Sequence, residues 1–191
     1  MSSRGNFGLP LFTTPEEHQL YLDLYERQAL ERGWVTFAWS LIWNHFHFVI
    51  QLTGDELSDG MRTINHTFSR RINAIHGRTG RGHAFRHGFY AGEITSDEQF
   101  AETCRYVDLN AVAAQLCERP EDWPWCGYAA TLGLTPRRRF HNVLDLLDRF
   151  AADPDVARMT YRGFVTGTDL FPGKGYGSVT PSEREMVRSQ P

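Results

Sequence analysis

The sequence predicts an α+β fold, with helices packed on an antiparallel sheet. Three observations carry that expectation. Residues Trp34–Leu52 are aromatic and β-branched with no strong breaker, which reads as two strands joined by a tight connection near Trp43. The segment before them carries helix start and stop signals, and the segment after them repeats apolar residues at helical spacing. Finally, 191 residues and 21.9 kDa fit one mixed domain better than two.

Taken in order, Thr14-Pro-Glu-Glu17 opens the first helix. Thr14 can be the N-cap, Pro15 takes the first helical position and Glu17 completes a capping box. The helix should run to about Arg32 and stop at Gly33. After the strand pair, Leu57, Met61, Ile64, Phe68, Ile72 and Ile75 define a second helix that ends at Gly77. The glycine-rich stretch Gly77–Gly88 reads as a loop and Phe89–Ile94 as a further strand. Thr95-Ser-Asp-Glu starts a third helix with Phe100, Cys104, Val107, Ala111 and Ala114 as its buried stripe, ending near Cys117. A turn rich in Trp and Pro occupies Pro120–Tyr128, and two shorter helices are expected at about Phe140–Ala151 and Asp153–Phe164. The tail after Gly167, rich in Gly, Pro, Ser and charge, is expected to be mobile.

Composition narrows the function. At 41% hydrophobic and 13% aromatic the chain can bury a sizeable core, which argues against disorder. No stretch approaches the ~18 uninterrupted apolar residues of a membrane span. Met1-Ser-Ser-Arg-Gly has no apolar signal-peptide core, so the cytoplasm is the expected compartment. Cys104, Cys117 and Cys126 are odd in number and lack CxxC spacing, against both a disulfide framework and a zinc knuckle. The net charge is −3, yet residues 61–91 hold no acid, four histidines and six arginines: Arg62, Arg70, Arg71, Arg78, Arg81 and Arg86. Such a window suits a local polyanion site, and equally a solvated helix face in an arginine-rich chain.

The residues that could carry chemistry are few. In Trp43-Asn44-His45-Phe46-His47-Phe48-Val49-Ile50, strand alternation sends His45 and His47 to one face and Phe46, Phe48 and Ile50 to the other. Two imidazoles on one face of a rigid strand can bind a divalent metal with coordination positions left open. Taken alone, the pair also suits the ordinary polar face of a half-buried strand. Tyr106 and Asn110 lie four residues apart on the third helix and share a face on the flank of its apolar stripe. A tyrosine there also serves as a packing residue with a wet hydroxyl.

In combination these motifs resemble one family. His-hydrophobic-His on a strand, a basic helix and loop, Tyr106-Val-Asp-Leu-Asn-Ala-Val-Ala-Ala114 and Pro120-Glu-Asp-Trp-Pro-Trp-Cys-Gly-Tyr128 are similar to the single-tyrosine HUH transposases, and among them the REP-associated tyrosine transposases. Ser3-Arg-Gly-Asn6, Leu11-Phe12 and Phe68-Ser-Arg-Arg-Ile-Asn73 add to the match. The resemblance implies a ferredoxin-like HUH domain over residues 4–133, a C-terminal helical extension over 134–167 and a tail over 168–191. It implies metal ligation by His45 and His47 with Asn110 as third ligand or orienting group, Mg²⁺ or Mn²⁺ as cofactor and Tyr106 as nucleophile.

The implied reaction is attack of that tyrosine on a phosphodiester of single-stranded, hairpin-bearing DNA, giving a 5′-phosphotyrosine and a free 3′-hydroxyl. Arg70, Arg71, Arg78, Arg81 and Arg86 would line the DNA track, with Phe85, Phe89 and Tyr90 available for base stacking or else for core or strand packing, the latter the expectation for Phe89. Relatives often work as dimers. A catalytically inactive or host-retained hairpin-binding module of the same fold would carry much the same sequence.

Three departures from the family pattern stand out. Relatives usually have a full first strand before the Arg-Gly segment, whereas only Met1-Ser2-Ser3 precede Arg4. Without that strand the metal-binding strand would lie at an exposed edge of the sheet; the readings are a start placed too far downstream, which is the expectation, a degraded copy, or another segment or subunit that fills the gap. Ala111-Val112-Ala113-Ala114 replaces the family's common Pro-Val-Arg-Ala, removing a candidate phosphate contact. The overall acidity implies binding that is local and salt-sensitive.

Overall fold

The centre of the molecule is the hairpin that the aromatic run forms, β2 (Val35–Ile42) and β3 (His45–Gln51), paired antiparallel with Trp39 opposite Phe48 and Ser40 opposite His47. In this computed structural model, which describes residues 1–6, 10–54, 56–78, 83–85 and 88–168, a short strand β1 (Ser2–Arg4) lies on the other side of β3. The sheet order is β1-β3-β2. The register sets Ser2 against His47, Ser3 against Phe46 and Arg4 against His45. The expectation of an exposed metal-binding edge is corrected here: three residues suffice to cover β3 along its His-containing half.

Helix α1 (Pro15–Arg32) forms for the reasons its sequence announced. Thr14 caps it, the Glu17 side chain returns to the Thr14 backbone, and Gly33 closes it in the left-handed conformation at φ 66°. Its Tyr21, Leu22, Tyr25 and Ala29 bury against Phe46 and Phe48, together with Met61, Ile64, Phe68 and Ile72 of α2 (Leu57–Ile75). Two tyrosine hydroxyls in this layer are paired. Tyr25 Oη and Thr36 Oγ1 are 2.8 Å apart, and Tyr21 Oη donates to Asn65 Oδ1 at 3.0 Å.

The other face of the sheet carries a second core. There α3 (Asp97–Asp108) places Phe100, Cys104 and Val107 against Phe37 and Val49. Helices α6 (Val143–Leu147) and α7 (Pro154–Thr166) complete that core with Leu146, Leu147, Tyr161 and Phe164. Ser96 caps α3 by accepting from the Gln99 N–H, and Asp153 caps α7.

Several expectations change. The third helix does not run unbroken to Cys117. It breaks at Leu109, resumes as α4 (Asn110–Ala113) and stops where Gln115 turns left-handed at φ 59°. The Leu116 N–H then reaches back to the Ala111 carbonyl and ties off the end. Phe89–Ile94 is not a strand. Ser2 and Tyr90 exchange both backbone hydrogen bonds at 2.8 Å, but β1 is too short to offer residues 91–94 a partner. The helix expected from Phe140 begins at Val143, because His141 bridges Thr36 of β2 and the Asn142 N–H donates to the Thr36 carbonyl. A short α5 (Tyr128–Thr131) was not anticipated. Arg81, Arg86 and the tail from residue 169 lie outside the described residues.

Candidate catalytic and metal site

The alternation of β3 divides its side chains between the two layers. Phe46 and Phe48 enter the aromatic core, and His45 and His47 face α3. The two imidazole centroids are 4.9 Å apart with rings perpendicular. Tyr106 meets them from the helix, its ring centroid 5.2 Å from that of His47 and again perpendicular. The three rings thus form one contiguous group contributed by two elements distant in sequence.

Each ring has a defined electrostatic setting. His45 Nδ1 lies 2.8 Å from Asn44 Oδ1, which can only accept, so this nitrogen carries the proton and Nε2 keeps its lone pair. Burial, reinforced by the Arg4 charge, lowers the His45 pKa to about 4, against the opposing influence of the neighbouring Asn110 carboxamide. Burial, with His45 and Arg4 close by, takes His47 to about 3. Both imidazoles are therefore neutral at pH 7 and able to ligate. Burial raises the Tyr106 pKa, and Arg4 opposes that shift. Tyr106 is 39% exposed, more open than either histidine beside it.

Asn110 supplies the remaining observation. It is 6% exposed, and its Oδ1 is buried without a hydrogen bond. A buried, unpartnered carboxamide oxygen costs roughly 1–3 kcal/mol unless something fills its lone pairs. Two neutral imidazoles and that oxygen are a nitrogen–oxygen donor set that fits a divalent cation with open positions. Among the described residues no three His, Cys, Asp or Glu side chains cluster for a metal, so a third protein donor here would be the amide.

The helix is anchored by Asp108, fully buried, which accepts from Tyr161 Oη at 2.5 Å and from Cys126 Sγ at 3.8 Å. A groove of about 1360 Å³ opens beside Tyr106 and His47, lined among others by Ile50, Tyr90, Ile94, Phe100 and Arg149.

No family model matches the sequence, and no curated protein matches it. Among solved structures, the chain is similar to a REP-associated tyrosine transposase bound to a REP hairpin, at 16% identity and a TM-score of 0.58, with 74% of this chain and 85% of that chain covered. The chain has the fold of a REP-associated tyrosine transposase.

Within this transposase fold the sequence-predicted residues fall into two groups. His45, His47, Tyr106 and Asn110 come together as described. Arg70 and Arg71 do not join them: α2 packs in the aromatic layer across the sheet, where both side chains are exposed. Arg78 follows the same helix, half-buried, its backbone N–H bonded to the Asn73 carbonyl. Phe85 is not free to stack on a base, being buried among Tyr21, Phe46 and Phe68, and Phe89 packs against the same core. Tyr90 is 74% exposed on the groove.

Sequence reasoning missed Arg4 as a member of the site. The signal was the short Ser2-Ser3-Arg4 segment itself, since pairing it with β3 would have set Arg4 beside His45.

Proposed function

We propose that the protein is a divalent-metal-dependent transposase that cuts and rejoins single-stranded, hairpin-bearing DNA through a 5′-phosphotyrosine on Tyr106. The observation that carries the reading is the three-ring group: a partly exposed phenol in edge contact with one of two neutral, half-buried imidazoles. The shared fold with a hairpin-bound transposase supports DNA as the partner.

In the proposed step Tyr106 Oη attacks phosphorus. The Oη–P bond forms as the P–O3′ bond breaks, and the phenolic proton ends on the departing 3′ oxygen by way of solvent. A second 3′-hydroxyl reverses the exchange, so one phosphodiester replaces another without an external energy source. His45, His47 and Asn110 would hold Mg²⁺ or Mn²⁺, which supplies positive charge to the phosphate oxygens when bound. The phenol needs such help, because burial holds its pKa above the ordinary value of 10. The groove beside Tyr106 gives the flanking strand a place to lie, with Tyr90 exposed for stacking.

The test uses oligonucleotides from the flanks of the gene with Mn²⁺ or Mg²⁺, resolved on a denaturing gel. A slow-migrating protein–DNA adduct that disappears in Tyr106→Phe and in His45→Ala is expected. Hairpin binding with no adduct would instead favour a non-catalytic binding module of the same fold.

A further inference from the structure

The register of β1 on β3 decides which of its side chains belong to the site. Directly opposed residues on paired strands share a face, with Cβ atoms roughly 4.5–5.5 Å apart. Ser2 opposes His47 and Arg4 opposes His45, so both point to the face that α3 covers with Tyr106. Ser3 points the other way, is buried and donates its hydroxyl to the Gly88 carbonyl at 3.0 Å. The strand thus delivers a single cationic side chain beside the imidazole pair.

The backbone under Arg4 is fixed and its side chain is not. The Gly5 N–H donates to the Asn44 carbonyl at 2.8 Å, and the Phe48 N–H donates to the Met1 carbonyl at 2.9 Å. Arg4 itself is exposed and forms no ion pair among the described residues. Many arginines of this chain are already neutralised: Arg105 faces Glu102, Arg149 faces Asp97, and Arg162 faces Glu121. A full positive charge next to a nucleophile and two neutral ligands has no structural partner to explain it. Its field reaches all three rings, and it favours the ionised form of Tyr106.

We propose that Arg4 is a catalytic residue whose guanidinium binds a non-bridging oxygen of the scissile phosphate and stabilises the charge that gathers there during phosphoryl transfer. This rests on the phosphotyrosine reading above. A planar fork suits two phosphate oxygens, or one oxygen and the attacking phenolate, without a proton of its own to lose. The exchange stays balanced as already written: one P–O bond forms, one breaks, and Arg4 neither gives nor takes a proton.

The experiment measures single-turnover adduct formation by the full chain with Mn²⁺ and a hairpin oligonucleotide, alongside hairpin affinity and thermal stability. Arg4→Ala should slow adduct formation by roughly 10²–10³-fold, the loss typical of one preorganised transition-state donor, with hairpin affinity nearly unchanged. Methylguanidinium added to Arg4→Ala should restore part of the rate, and Arg4→Lys should retain part of it. A rate equal to wild type overturns the proposal. So does a slow Arg4→Ala that neither guanidinium nor lysine rescues, because that outcome makes Arg4 a strand-supporting residue. If the wild type itself forms no adduct, the phosphotyrosine reading falls and this proposal with it, whereas the preceding two outcomes leave that reading standing.

Discussion

The two faces of β3 differ in how their polar groups are treated. On the side of α1 and α2, Phe46 and Phe48 enter a layer of stacked and edge-on rings, the Tyr25 and Phe48 centroids only 3.9 Å apart. The hydroxyls of Tyr21 and Tyr25 have partners there, whereas the ring nitrogens Trp39 Nε1 and His18 Nε2 are buried without one amid the aromatic packing. On the side of α3, one residue away along the same strand, two half-buried imidazoles are held neutral and a buried amide oxygen has no hydrogen bond. One face is aromatic packing, its unpartnered nitrogens scattered and without ligand chemistry beside them. The other gathers two neutral imidazoles and an unpartnered carboxamide oxygen in one place, which is the mark of a site rather than a core.

Substitutions on the two faces should therefore separate activity from stability, and the largest effects come first. Tyr106→Phe removes one partly exposed hydroxyl. It should abolish the covalent adduct while shifting the unfolding free energy by no more than about 0.5 kcal/mol, as read by denaturant titration. Phe48→Ala should do the reverse. Emptying that position amid Tyr25, Phe46 and Phe140 should cost about 3–5 kcal/mol of stability. The protein that remains folded at low temperature should still form the adduct. A Tyr106→Phe variant that unfolds readily would mean that the two faces are not distinct in this way.

Histidines sharpen the contrast. His141 is 1% exposed, and its Nε2 lies 3.0 Å from the Phe37 carbonyl while its Nδ1 has no partner. Burial lowers its pKa from 6.5 to about 4. Between those values the unfolded chain takes up a proton that the folded chain refuses. The stability this neutral histidine contributes is present above about pH 6.5 and lost as the pH falls toward 4. The loss amounts to about 3 kcal/mol. His141→Gln should flatten the dependence of Tm on pH across that range, though not completely, since His45 and His47 are held neutral too. Metal should distinguish the pair. Mn²⁺ at a hundred times its dissociation constant should stabilise the wild type by about 2.7 kcal/mol, an effect lost in His47→Ala and kept in His141→Gln. Equal stabilisation of His47→Ala would place the ion elsewhere.

Much of this was legible in the sequence wherever the determinants are local. The capping box of Thr14 and Glu17, the stop at Gly33 and the alternation that parts His45 and His47 from Phe46 and Phe48 depend on residues within one or two turns of each other. Tyr106 and Asn110 were readable as neighbours for the same reason. What escaped depends on remote pairing. Whether Ser2–Arg4 is a strand is decided by β3, more than forty residues away, and whether residues 91–94 are one depends on the length of β1 beside them. His141 is drawn from a helical pattern by a bridge to Thr36. Arg4 was legible only as part of the Ser3-Arg-Gly-Asn6 segment and not as a site residue, because its place is purely positional: the register that sets it against His45 is what brings it to the rings.

The smallest expected effect bears on the arginines of α2, which lie in the layer away from Tyr106. If chemistry belongs to one face and affinity to the other, Arg70→Gln and Arg71→Gln should each leave the rate of adduct formation from bound hairpin unchanged. They should weaken hairpin binding through the phosphate backbone alone. Each lost contact should lower the slope of log K against log salt by about 0.9. That corresponds to a salt-dependent change of only about twofold in dissociation constant between 0.1 and 0.2 M, best seen by fluorescence anisotropy over a wide salt range. Arg4→Ala supplies the opposite pattern, a large loss of rate at nearly constant affinity. Should the α2 variants instead lose rate at saturating DNA, a bound strand would have to reach around the edge of the sheet at β1. The division of labour between the two faces would then give way to one continuous track.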